Sequence, residues 1–274
     1  MSIIPEYYSS AVVAIGILDS EHQEQWIGTG FIVGRKEASD KSKSTFYLVS
    51  NRHVFMNKRK ITLQLNSAGE ELNKNYDVPL LNDNDEQLFS VHENENVDVA
   101  AVQIMPHVLI KDKSIWGAFD LDDNTLMLDE MQKTGIREGD LVYALGFPMN
   151  IVDDIKVPIY RLGCVSRITD AYLLSKKQPI FIVDAQTFPG NSGGPIINRP
   201  EFVGNADVSN GSKLIGILSA NIPYKDYLFS QQTGEIAMMQ SENSGLTVVH
   251  PVDRIKEVVE REYERMAKLN VNKQ

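Results

Sequence analysis

A chain of 274 residues, 42% hydrophobic and 23% charged, is long enough to bury a sizeable core and is far from the composition of wholesale disorder. Its net charge of −10 argues against a general nucleic-acid binder, which presents a basic face. The single cysteine, Cys164, excludes an intramolecular disulfide, and no run of about 18 apolar residues offers a transmembrane helix. The first 25 residues lack the basic start and long apolar centre of a signal peptide. Together with the lone cysteine, this makes a cytoplasmic location the expectation, with no membrane and no nucleic acid as partner.

Along the chain, short apolar runs alternate with turn residues. Strands are expected at 11–18, 28–34, 44–50, 61–65 and 97–104. Within this series, between 44–50 and 61–65, Lys58-Arg59-Lys60 reads as a solvated turn, not a basic patch. A polar stretch, 105–139, then separates a second series of strands at 140–148, 159–168, 179–185, 194–198, 213–220 and 245–251. Runs this short, rich in Val, Ile, Tyr and Phe, favour strand over helix. The boundary falls near 120–135, giving halves at 1–125 and 126–250 and a tail at 251–274. The tail is the one clear helix. Val252, Ile255, Val259, Tyr263 and Met266 recur at helical spacing, with Lys256, Glu257, Glu260, Arg261 and Glu264 opposite them. Pro251 suits its first position and Asp253 its positive end. The fold class is therefore all-β, in two similar halves with a C-terminal helix.

The stretch FPGNSGGPII, 188–197, surrounds Ser192 with three glycines. A serine hydroxyl becomes a nucleophile only beside a base, and the base needs an acid to orient it. Attack on a carbonyl also needs donors aimed at the oxyanion. Backbone N–H groups of Gly190 and Ser192 can converge on one point if the chain is free of Cβ clashes, and Gly193 and Gly194 let it turn away. Of the histidines (His22, His53, His92, His107 and His250), His53 stands where an apolar strand meets polar residues, a good place for a base. Asp98, between Val97 and Val99, is the candidate acid, because a carboxylate in that setting is costly to bury without a partner.

The segments SNRHVF, VDVAAVQI and GNSGGP, in that order, resemble the trypsin/chymotrypsin-fold serine peptidases, most of all the bacterial HtrA-type branch. GTGFIV, LGFP, LIGILSA and GLTVVHPVDRIKEVV add to the likeness, which covers about residues 9–262. The resemblance implies two six-stranded antiparallel β-barrels with the site between them. It implies His53 as base and then acid, Asp98 as orienting carboxylate, Ser192 as nucleophile, and an oxyanion hole from Gly190 and Ser192. The reaction would be endopeptidase hydrolysis of a polypeptide through an acyl-enzyme, with neither cofactor nor metal. The primary pocket would lie around Gln186, Ser219, Ala220, Asn221 and Gly245. With no acid there, a preference for Lys or Arg is not supported. Asn191 stands where trypsin-type enzymes carry the Asp that receives a new N-terminus, so no cleavage switch is expected. No PDZ domain follows in this sequence, and restraint of a cytosolic peptidase then points to a protein activator or regulator.

Two other readings compete. GNSGG also fits the nucleophile elbow of α/β-hydrolases, with Asp226 and His250 downstream as acid and base for an esterase. That elbow must open a helix, and GGPIINRPEF opposes one. The other reading is a latent or inactive protease fold used for binding, against which stand the retained His53, Asp98, Ser192 and glycines.

Overall fold

The protein is described from a computed structural model covering residues 4–18, 24–38, 40–151, 154–173, 179–199 and 211–271. Strands dominate it. In the N-terminal half they are β1 (Val12–Leu18), β2 (Glu24–Lys36), β3 (Ser44–Ser50), β4 (Lys60–Asn66), β5 (Asn73–Pro79), β6 (Ser90–Val91), β7 (Ala100–Ile104) and β8 (Phe119–Asp120). The sheet runs β5-β4-β1-β2-β3-β7-β6, and β8 joins β2 in parallel. In the C-terminal half β9 (Leu141–Gly146), β10 (Ile159–Arg167), β11 (Phe181–Asp184), β12 (Pro195–Asn198), β13 (Leu214–Phe229) and β14 (Ile236–Pro251) close a barrel in the order β10-β11-β14-β13-β12-β9.

The alternation of side chains along each strand divides the core. In β2, Phe31 and Val33 face one cluster while Ile32 faces another; in β3, Tyr47 and Val49 part from Leu48 in the same way. The Ile32–Leu48 side, with Ile15, Leu63 and Phe89, fills the N-terminal half. The Phe31–Val49 side meets Leu145, Phe147, Ile197 and Ile217 of the barrel, and Val252, Ile255, Val258 and Val259 of the C-terminal helix. A third cluster, with Val142, Phe181, Val183 and Ile215, fills the barrel. The two halves therefore share one apolar layer. Polar bonds at its margin add to it: Tyr8 donates to the Ser212 carbonyl at 2.7 Å, and Asn66 exchanges two bonds with the backbone of Lys156.

Three expectations change. The N-terminal half carries eight strands, with no closing pair among the described residues, where a six-stranded barrel was implied. The polar run NKNYDVP of β5 hides a strand with few apolar residues, and two-residue strands leave no periodicity to read. The seventh strand starts at Ala100, so Asp98 lies just ahead of it. Pro251 ends β14, and the final helix begins one residue later. Short helices fill the connections: α1 (Tyr7–Ala11), α2 (Arg52–Phe55), α3 (Pro106–Lys111), α4 (Leu128–Thr134) and α5 (Thr169–Leu173), before the long α6 (Val252–Val271). The Leu128 N–H donates to Asp253 at 2.9 Å, tying the start of α6 to α4.

β13 and β14 are sixteen residues each, far longer than the expected 213–220 and 245–251. Beyond the barrel they pair as a two-stranded arm, from Pro223 opposite Asn243 to Phe229 opposite Ile236. Between Asn221 and Ser244 only Ile222 and Ser230 are even half-buried.

Candidate active site

His53 lies on α2, one turn past the end of β3, and not on the strand end itself. Its Nδ1 is 2.7 Å from Asp98 Oδ2, and its backbone N–H donates to Asp98 Oδ1 at 3.0 Å. The imidazole is more than half exposed, so it faces a space that a substrate can enter. Asp98 also receives the Ser219 hydroxyl at 3.2 Å. Burial works against the Asp98 charge, but the bonds from the His53 ring, the His53 amide and Ser219 outweigh it and hold the carboxyl below its ordinary range. An ionised acid fixed against Nδ1 favours the tautomer with its proton there and leaves Nε2 of His53 able to accept one.

Ser192 follows a turn built by its glycine. The Asn191 N–H donates to the Phe188 carbonyl at 3.0 Å, with Pro189 and Gly190 between them. Gly190 has φ +98°, the left-handed third position of a type II turn, and a Cβ there would stand 2.3 Å from the Phe147 carbonyl. Gly193, at φ +83°, passes so close to β2 and β3 that a Cβ would meet Thr29 O and Ser50 Oγ at 2.3 Å. Among the described residues, the Gly190 and Ser192 N–H groups have no protein acceptor. Two unspent donors beside a serine hydroxyl are what a developing oxyanion needs. Asn191, buried, turns inward and accepts the Phe188 N–H with its side chain. No hydrogen bond joins Ser192 Oγ to His53 among the described residues, a looseness common before substrate closes a site.

A small cleft of about 200 Å³ lies beside Ser192, walled by Thr187, Phe188, Leu218, Ser219, Ala220, Asn221 and Thr247. The structure thus brings Ser219, Ala220 and Asn221 to the nucleophile. Gln186 and Gly245 are not part of this wall. Gln186 has φ +44° and is exposed, and Gly245 lies against Asp184 and Gln186 to one side. The residues one and two places on, Thr187 and Thr247, take the inner positions. Their hydroxyls both bond the Asn221 side chain, and Asn221 and Asn243 both donate to the Thr187 carbonyl. A wall of uncharged hydrogen-bonding groups has nothing to pair with a Lys or Arg side chain.

Two contributors escaped the reading of the sequence. Thr29, inside GTGFIV, donates its hydroxyl to the Gly190 carbonyl at 2.6 Å and accepts the Phe147 N–H at 3.0 Å; its own N–H donates to the Ser192 carbonyl at 2.9 Å. A threonine between two glycines in an apolar strand was the available signal. His250, weighed among the five histidines as a base and again as the base of an esterase, is buried in β14, and its Nε2 accepts the Asp98 backbone N–H at 3.1 Å. The imidazole is therefore the neutral Nδ1–H form, and burial, with Arg254 and His92 nearby, pushes its pKa down to about 4 against the pull of Asp98. No pattern in the sequence marks it. His22 lies outside the described residues; His92 pairs with Glu257, away from Ser192.

No curated protein matches this sequence. Solved structures share the fold. They include the HtrA-type protease AlgW with tripeptide (19% identity, TM-score 0.51, covering 93% of this chain and 60% of that one). The MamO protease domain from Magnetospirillum magneticum, apo form, aligns at 15% identity and TM-score 0.50, over 91% of this chain and 96% of that one. The serine endoprotease from Yersinia pestis aligns at 18% identity and TM-score 0.48, over 93% and 64%. The chain spans less than two thirds of the AlgW and Yersinia chains. The trypsin-like peptidase domain family matches residues 28–203, more than half of the chain and all three of His53, Asp98 and Ser192, and to that family the chain belongs.

Proposed function

We propose that the protein is a serine endopeptidase. Ser192 Oγ attacks a substrate carbonyl while His53 Nε2 takes its proton. Asp98 holds the imidazole through Nδ1 and stabilises it once charged. The tetrahedral oxyanion receives the Gly190 and Ser192 N–H groups. His53 then gives its proton to the leaving amine as the C–N bond breaks and leaves an acyl-enzyme; water, giving a proton to His53, attacks that ester, and the proton returns to Ser192 Oγ as the acid leaves. The observation that carries this reading is the 2.7 Å His53–Asp98 pair. The substrate is a polypeptide with an uncharged residue in the cleft beside Asn221.

The unbonded Ser192 hydroxyl favours a second reading of the same residues, a site that a protein activator brings into register. A fluorophosphonate probe separates them. Labelling at Ser192, lost in Ser192→Ala and reduced at least about hundredfold in His53→Ala, is expected for the endopeptidase. A folded but unlabelled protein would replace it with the activator-dependent or binding-module reading.

A further inference from the structure

The arm formed by Asn221–Ser244 grows out of the wall of the cleft. Leu218, Ser219, Ala220 and Asn221 line the cleft, and the same strand, β13, continues without a break to Phe229. On one side β13 pairs with β14 from Gly216 to Phe229, with register shifts between Leu218 and Asn221, between Asn221 and Pro223 and between Leu228 and Phe229. On the other side β12 pairs with it between Leu214 and Ile217, and Gly193 and Gly194 take both backbone groups of Leu218, so from Ser219 onward that edge has no strand partner among the described residues. An open strand edge is a template for another extended chain, whose backbone supplies the missing ladder.

The arm carries a group of exposed apolar side chains. Tyr224, Tyr227, Leu228, Phe229, Ile236, Met238 and Met239 are all exposed, Phe229 at 62% and Met238 at 59%. Register places Leu228 with Met238 on one face, and Tyr227 with Met239 on the other. A two-stranded hairpin standing alone is marginal in water, and a third strand would steady it. Only Lys225, Asp226, Glu235 and Glu242 carry charge between Asn221 and Ser244, on a chain of net charge −10. An apolar polypeptide is therefore not repelled. The distal turn, Ser230–Glu235, is polar, which sets the arm apart from a lipid anchor. Pro223 withholds one N–H from the ladder without closing the edge.

We infer that this arm is a substrate-docking rail: an extended, apolar segment of an unfolded polypeptide adds to the free edge of β13 and is led by it to Ser192. This deepens the peptidase reading and rests on it for the direction of delivery. It commits to an unfolded chain as occupant because the cleft and the edge are continuous in one strand. A second copy of this chain is the competing occupant.

The test uses the full chain carrying Ser192→Ala, with reduced and carboxymethylated α-lactalbumin, fluorescein-labelled, as the unfolded probe. Combining Leu228→Ser, Phe229→Ser, Met238→Ser and Met239→Ser is expected to weaken binding by about tenfold or more. A second variant, in which 225–241 is replaced by Asn-Gly, should do the same if the quadruple variant misfolds by circular dichroism. Binding of a four-residue peptide should not respond to either. Equal affinity of wild-type arm and variants overturns the inference. So does a dimer by sedimentation that becomes monomeric when the arm is altered, since the arm is then covered by its own copy. Fluorophosphonate labelling of the unmutated chain is read separately. Arm-dependent binding without labelling keeps the rail and removes the peptidase reading, and labelling without arm-dependent binding does the reverse.

Discussion

At the scale of single residues, His250 carries the sharpest expectation. In the peptidase reading it is a positioning residue: among the described residues its ring makes one hydrogen bond, from the Asp98 backbone N–H, and removing that acceptor leaves a part-buried N–H unpaired, at about 1–3 kcal/mol. In the peptidase reading, His250→Phe should lower kcat more than it alters KM, because Asp98 loses its register. His250→Gln, whose side-chain oxygen reaches the place of Nε2, should restore most of it. The depressed pKa fixes a sign. Folded His250 stays neutral down to about pH 4, whereas the unfolded residue takes up a proton near 6.5. Stability is whole above pH 6.5, falls as pH drops from 6.5 towards 4, and levels off below, a loss of about 3 kcal/mol. Urea titrations from pH 4 to 7.5 should show that slope in the wild type and a flatter one in His250→Gln. Equal slopes would mean that His250 does not remain neutral. Ser192, His53 and Asp98 could be nominated as candidates because motif and order single them out. His250 and Thr29 were not, because each acts on backbone atoms, and a backbone partner leaves no trace in the sequence.

At the scale of elements, α6 shows how a pattern can be read correctly and still conceal something. Its apolar stripe was visible, and Val252, Ile255 and Val259 are buried as expected. Glu262 is also buried, at 0% exposure, on the same side. It accepts from Ser90 Oγ at 2.8 Å, from the Gln103 N–H, and from Arg265. A carboxylate satisfied in this way sits in the apolar stripe without breaking the helix, and binary patterning has no means of marking it. Glu262→Ala leaves Arg265, the buried Ser90 hydroxyl and the part-buried Gln103 N–H without this acceptor. It should cost about 3–5 kcal/mol in chemical denaturation, while Asp129→Ala, at an exposed pair with Lys133, should cost less than about 1 kcal/mol. The arm of β13 and β14 hid for another reason. A strand exposed on both faces has no buried side to generate alternation, so only its barrel portions, 213–220 and 245–251, carried the signal.

At the scale of the whole molecule, the candidate base and acid hang from the N-terminal half and the nucleophile loop from the C-terminal barrel. Their division between two halves was readable from the order of the motifs. The ties between them were not, since Thr29 to Gly190 and His250 to Asp98 link residues 161 and 152 places apart. Thr29→Val keeps the shape and removes the hydroxyl, leaving the Gly190 carbonyl and the Phe147 N–H unpaired at about 1–3 kcal/mol each. In the peptidase reading the loss should fall chiefly on kcat, because the turn that aims the Gly190 N–H loses its anchor. Unchanged kinetics with lowered stability would assign Thr29 to scaffolding alone.

These crossings run in opposite senses. Thr29 reaches from the N-terminal half to steady the loop of the barrel, and His250 reaches from the barrel to steady the acid of the N-terminal half. In the peptidase reading each half therefore holds the other's reacting group in register, and a small rotation between them would disturb both at once. A compound that wedged the halves apart at another point of the shared seam, such as where Asn66 meets Lys156, would in that reading silence the site without entering the cleft beside Ser192.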